Sequence, residues 1–203
     1  MVLSRNRFIA IGVPVALLMA ALLIALIAPE ERTLGSSIRS VYIHVALTIT
    51  GRIGLSIAGL LGLIVLLTGH KGAAAWMQTI GWMALAFFAA GIIASAMSAR
   101  MTWGGFGLDE PRMRGALQVA SITLIVQILH TWLPPSQIRL QGLLHMIPVS
   151  FLTWMVLSTE LVLHPEDPIG TSNATPIQLT FGVLIALCTL AAAWMVWQQR
   201  RAT

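Results

Sequence analysis

A chain of 203 residues that is 57% hydrophobic and only 9% charged is no ordinary water-soluble globule, because such domains run at about 45–50% apolar and about 25% charged. The same balance excludes disorder, which requires low hydrophobicity and high charge. The 12 basic residues outnumber the 7 acids, but they stand singly or in pairs between apolar blocks. With no basic stripe to follow a phosphate backbone, no nucleic-acid partner is expected.

In chain order, six apolar blocks are each near the ~20 residues that a helix needs to cross a bilayer. The first, 8–28, follows Arg5 and Arg7 and is read as a first span with its amino end in the cytoplasm rather than a signal peptide. Pro14 inside it predicts a kink. Span 2 covers 41–67 and carries Gly51, Gly54, Gly59 and Gly62, small residues that let helix backbones approach closely. Spans 3 to 6 follow at 76–98, 115–132, 140–163 and 177–197. Pro134-Pro135 forms a short turn that makes spans 4 and 5 antiparallel neighbours. The expected fold is all-α: one integral membrane domain over 1–203, a polytopic six-transmembrane-helix bundle.

Short inter-span segments place Arg5, Arg7, Lys71, Arg139, Arg200 and Arg201 on the cytoplasmic side, with both termini, and Arg32, Arg39, Arg100, Arg112 and Arg114 outside. The longest connections, 29–40, 99–114 and 164–176, are therefore outer ones. Cys188 stands alone inside the last span, which excludes an internal disulfide, a CxxC redox pair and a CxxCH haem-attachment site.

His44 and His164 fall at the outer ends of spans 2 and 5, on either side in sequence of an aromatic loop with Trp103 and Phe106. Two neutral imidazoles from opposite sides can ligate a haem iron axially, with aromatic faces over the porphyrin and arginines on its propionates. Equally, interfacial His, Trp and Tyr residues such as Tyr42 serve as anchors at headgroup level.

The segment Val41-Tyr42-Ile43-His44-Val45 resembles the Tyr-x-His-Val opening of the second span in the cytochrome c biogenesis haem-handling protein C (CcmC) family. That family's outer loop has the form Trp-Gly-x-Trp-Trp-x-Trp-Asp-x-Arg-Leu. Laid on residues 103–113 it matches Trp103, Gly104 and Arg112, with Phe106, Glu110 and Met113 at the positions of a Trp, the Asp and the Leu. Leu163-His164-Pro165 is similar to the Leu-His after the family's last Trp-Trp pair. Departures are Gly107 and Asp109 at Trp positions, Glu160-Leu161 in place of Trp-Trp, and Ala46 in place of Pro. The resemblance covers nearly the whole chain. It implies a haem-binding protein of the bacterial inner membrane that is not an enzyme. Such a protein presents non-covalent haem b at the outer face to a haem chaperone during cytochrome c maturation, beside an ABC-type haem export complex. His44 and His164 would be the iron ligands; Trp103, Gly104, Phe106, Glu110 and Arg112 would form the platform.

Arg52 lies eight residues beyond His44, ~12 Å along the helix and ~80° around it. A charge so deep must face the bundle or a polar cavity, where it meets a haem propionate or a lipid phosphate, or else snorkels. His130 and His145, near the inner ends of spans 4 and 5, are either a second haem site or histidines bonded to carbonyls and water. Gly54-Leu-Ser56-Ile-Ala58 only echoes a hydrolase nucleophile motif, which belongs on a sharp exposed turn, and no Walker-A or HExxH motif is present. Two other functions fit the sequence: a haem-independent membrane anchor or structural subunit of a larger complex, and a b-type cytochrome anchor ligated by His130 and His145.

Overall fold

The structure is a computed structural model that describes residues 2–32, 34–158 and 173–202. Among them are six α-helices: α1 (Val2–Leu26), α2 (Ile38–Thr68), α3 (Lys71–Trp103), α4 (Pro111–Trp132), α5 (Ile138–Ser158) and α6 (Thr175–Ala202). A single 3-10 turn, Pro135–Gln137, joins α4 to α5. No strand occurs among the described residues beyond one isolated bridge between Glu31 and Gly35. Five segments are long and apolar enough to cross a membrane: Phe8–Leu26, Ile38–Thr68, Lys71–Trp103, Pro111–Trp132 and Thr175–Ala202. α5 is not one of these five, and the end of the expected fifth span, at 159–163, lies outside the described residues.

The helices outrun the apolar blocks for local reasons. His70 Nδ1 accepts a hydrogen bond from the Ala73 amide at 3.0 Å, capping α3 so that it starts at Lys71 rather than 76. Its far end continues through Arg100 to Trp103, and Gly104, at φ 77°, stops it. α4 starts at Pro111 rather than 115, because Glu110 caps it and proline suits the first helical position. The expected outer connection 99–114 is thereby reduced to 104–110.

Two compact units divide the chain. The first contains α1, α2 up to Thr50, α3 from Ala90, and α6. α1 packs on α6. Inside this unit Ser40 Oγ lies 2.7 Å from Ser98 Oγ, and a Cβ at Gly91 would strike Thr48, so the two half-helices run antiparallel in close register. Tyr42 is fully buried, its ring tilted against Phe181, and is not the headgroup anchor that its sequence position suggested.

The second unit holds the rest of α2 and α3 with α4 and α5. The glycines of α2 act here as expected. A Cβ at Gly51 would sit 2.6 Å from Phe88 Cβ, one at Gly54 2.7 Å from Ala84 Cβ, and one at Gly62 2.6 Å from the Gly142 carbonyl oxygen. Backbones meet at these points because no side chain intervenes, which is how helices associate in a solvent that gives no hydrophobic drive. Val65, Ala74 and Met77 form a buried apolar cluster. Large apolar residues of both units are exposed, among them Phe8, Ile11, Leu60, Leu67, Ile93, Trp132 and Leu179. On a water-soluble protein so much exposed apolar surface would drive association; against lipid it is the solvated face.

Candidate functional site

Three groups of polar side chains stand out among the described residues, one in the first unit and two in the second. In the first unit, His44 Nδ1 is 3.2 Å from the Ser40 carbonyl oxygen. Donation to that carbonyl fixes the tautomer with its lone pair on Nε2, the orientation that metal-ligating histidines use. Ser40 pairs with Ser98 and Thr48 abuts Gly91, so His44 sits beside residues 94–95 of α3. Trp103 is about 13 Å farther along that helix axis.

The loop after Trp103 folds back on the last turn of α3. Arg100 donates from Nη1 to the Gly104 carbonyl and lies 5.6 Å from the centre of the Phe106 ring, within cation–π range. Trp103 and Phe106 are both more than half exposed. Gly104 and Gly107 have φ of 77° and 66°, a backbone region in which other residues are strained. The turn is thus built from two glycines and one arginine, and it holds up an aromatic ring. Arg100 was not among the sequence candidates, although an arginine four residues before a glycine stop is a legible C-terminal cap.

The second unit takes the rest of the loop for a different use. Glu110 Oε2 accepts from the Met113 amide at 2.9 Å, and Asp109 pairs with Arg114 at 2.7 Å. Glu110, expected in a haem platform, is the N-cap of α4. Arg112 is exposed and Arg52 half-buried. A shallow hollow of about 230 Å³ lies nearby, lined by Asp109, Arg114, Gln118, Trp154 and Met155 among others. It is smaller than the ~300–1,000 Å³ of typical ligand pockets. His164 lies outside the described residues. The remaining candidates fall in the two units, His44, Trp103, Gly104 and Phe106 in one and Arg52, Glu110 and Arg112 in the other.

The third group is deep in the second unit. His130 and His145 are 7% and 2% exposed, with Gln127 at 1% and Gln141 at 7%. The imidazoles are perpendicular, their centres 5.0 Å apart. His145 Nδ1 is 2.9 Å from the Gln141 carbonyl oxygen, and Gln127 Nε2 is 3.3 Å from His145 Nε2. The Gln141 amide donates to the carbonyl of Leu133 at 3.1 Å, closing the end of α4. Gly81 of α3 makes room for this group, since a Cβ there would collide with the Gln127 amide. Imidazoles on opposite faces of one haem iron need centres about 6.4 Å apart, so this pair is too close to be axial ligands. The two glutamines were not among the sequence candidates. Their signal is a costly amide inside an apolar span, three or four residues from a histidine.

No protein-family model and no curated protein matches the chain.

Proposed function

We propose that this chain is a six-span haem-handling protein of the bacterial inner membrane, with both termini in the cytoplasm, which holds haem b non-covalently at the outer face. The observation that carries the reading is His44, whose Nδ1 is tied to its own helix so that Nε2 carries the lone pair. It stands in the same unit as the aromatic turn built on Arg100, Trp103 and Phe106. His164 would be the opposite axial ligand. Haem would supply the only redox chemistry; the chain's own part is to ligate, cover and release it. Its partners on this reading are a haem chaperone and the subunits of an ABC-type export and cytochrome c maturation complex.

The test is a visible spectrum of the purified protein with and without added haem. A low-spin bis-histidine spectrum that His44→Ala and His164→Ala each remove is the expected result. Absence of haem uptake by the wild type would overturn the reading.

A second reading is a haem-independent anchor subunit. One observation favours it: Asp109 and Glu110, which stand where the family loop has Trp and Asp, are taken up in an ion pair and a helix cap. On that reading the loop serves only to start α4.

A further inference from the structure

The buried group around His130 and His145 has no part in the proposed outer haem site. Two of its polar atoms have no partner: His130 Nδ1 and Gln127 Oε1. Both belong to residues more than nine-tenths buried. A buried polar atom without a partner costs about 1–3 kcal/mol, and two of them on residues about one turn apart in α4 call for a ligand. We infer that His130, His145 and the Gln127 amide oxygen form a binding site for a late first-row transition-metal ion, Zn²⁺ or Cu⁺.

Geometry separates this from haem ligation. An imidazole nitrogen binds such an ion at about 2.0–2.1 Å, which puts the ring centre about 3.2 Å from the metal. Two rings at a tetrahedral angle then have centres about 5.2 Å apart, against about 6.4 Å when they lie in line. The observed 5.0 Å is near the tetrahedral spacing and well short of the in-line one. His145 also has the outer support of a metal ligand, because its Nδ1 donates to a backbone carbonyl and leaves Nε2 as the lone-pair nitrogen. In the structure that lone pair is met by the Gln127 amide nitrogen. Turning the terminal amide over exchanges nitrogen for oxygen and gives a third donor.

Ligand chemistry narrows the ion. No group of three His, Cys, Asp or Glu side chains suited to a metal exists among the described residues, so the donor set is two imidazoles and one amide oxygen. Magnesium and calcium prefer all-oxygen sites, whereas imidazole suits zinc and copper. The donor set is neutral, and partial compensation comes from α4, whose last turn contains His130 and whose carbonyl end carries the negative pole of the helix.

The experiment uses the full chain in detergent, stripped with a chelator and titrated with Zn²⁺ against a chromophoric competitor. Cu⁺ is added anaerobically in a parallel series, and Co²⁺ replaces Zn²⁺ as a visible probe. One ion per chain is expected, with intense Co²⁺ ligand-field bands of four-coordinate type, and a drop in affinity of at least 100-fold in the double variant His130→Asn/His145→Asn. The tighter of the Zn²⁺ and Cu⁺ series identifies the ion. Since the double variant removes two buried side chains and can fail to fold, Gln127→Glu is the second arm. It is nearly isosteric, adds the missing negative charge, and should tighten Zn²⁺ at least tenfold. Equal affinities in wild type and a folded double variant, six-coordinate Co²⁺ bands, or no tightening in Gln127→Glu would each overturn the site and leave a pair of atoms that hold water.

Discussion

Replacing Gly142 by alanine tests the close helix contact in the second unit most directly. A Cβ at 142 would sit 2.6 Å from the Gly62 carbonyl oxygen, 2.8 Å from the Leu66 amide nitrogen and 3.2 Å from Val65 Cβ. Ordinary contact begins near 3.4 Å, so α2 and α5 must part by roughly 0.8 Å where they cross, and a gap of ~0.5–1 Å forfeits a quarter to a half of each dispersion contact. Overpacking of this kind costs ~1–3 kcal/mol, and the better helix propensity of alanine returns at most ~1 kcal/mol. The net is a loss of ~1–2 kcal/mol, or ~2–8 °C in Tm for a chain of this size. The control is Gly182→Ala in α6, where nothing lies within 4 Å of the added Cβ, and where propensity alone should leave Tm unchanged or raise it by ~2–4 °C. Thermal unfolding of the three proteins in one detergent, read by the onset of aggregation on size exclusion, gives the comparison. If Gly142→Ala and Gly182→Ala shift Tm in the same direction, the contact between α2 and α5 is not the tight one described.

Glu110→Ala should cost ~1 kcal/mol through loss of the α4 cap and leave the haem off-rate unchanged, whereas a collapse of haem affinity with unchanged Tm would return Glu110 to the haem platform. Phe106→Trp should enlarge the aromatic face and slow haem dissociation by up to ~10-fold, on the scale of ~1 kcal/mol for an aromatic contact; an unchanged rate by stopped-flow transfer to apomyoglobin would exclude this ring from contact with haem. Gly107→Trp should instead lose ~1–2 kcal/mol of stability, since φ at 107 is 66° and only glycine adopts that region at no cost, and an unaltered Tm would refute the assigned turn.

The helices were legible because apolar blocks of this length have few other uses, and the glycines of α2 were legible because small residues in a span mark close approach. Helix ends were not, since the signals there are single atoms. His70 Nδ1 at the start of α3 and Glu110 Oε2 at the start of α4 each extend a helix by about a turn beyond its apolar run. The burial of Tyr42 is not legible, because a tyrosine near the end of a span looks the same in sequence whether it faces headgroups or the interior. The loop after α3 is half legible. Trp103 and Phe106 do belong to one turn, but that turn is held by Arg100, which a motif read forward from Trp103 does not include. Gln127 and Gln141 carry no titratable group, yet in a span an amide is nearly as informative as a charge.

Gly81 carries no chemistry and no unusual backbone angle, yet the Gln127 amide occupies the space that any side chain there would fill. Position 81 therefore controls a polar group on another helix by having nothing of its own. An alanine at 81 would be scored as conservative on every substitution scale and would improve the local helix. It would nevertheless evict the amide, strip His145 of its neighbour, and change the character of the histidine pair without touching either histidine. A survey of variants that weighs only residues with functional groups would overlook the position on which this group most depends.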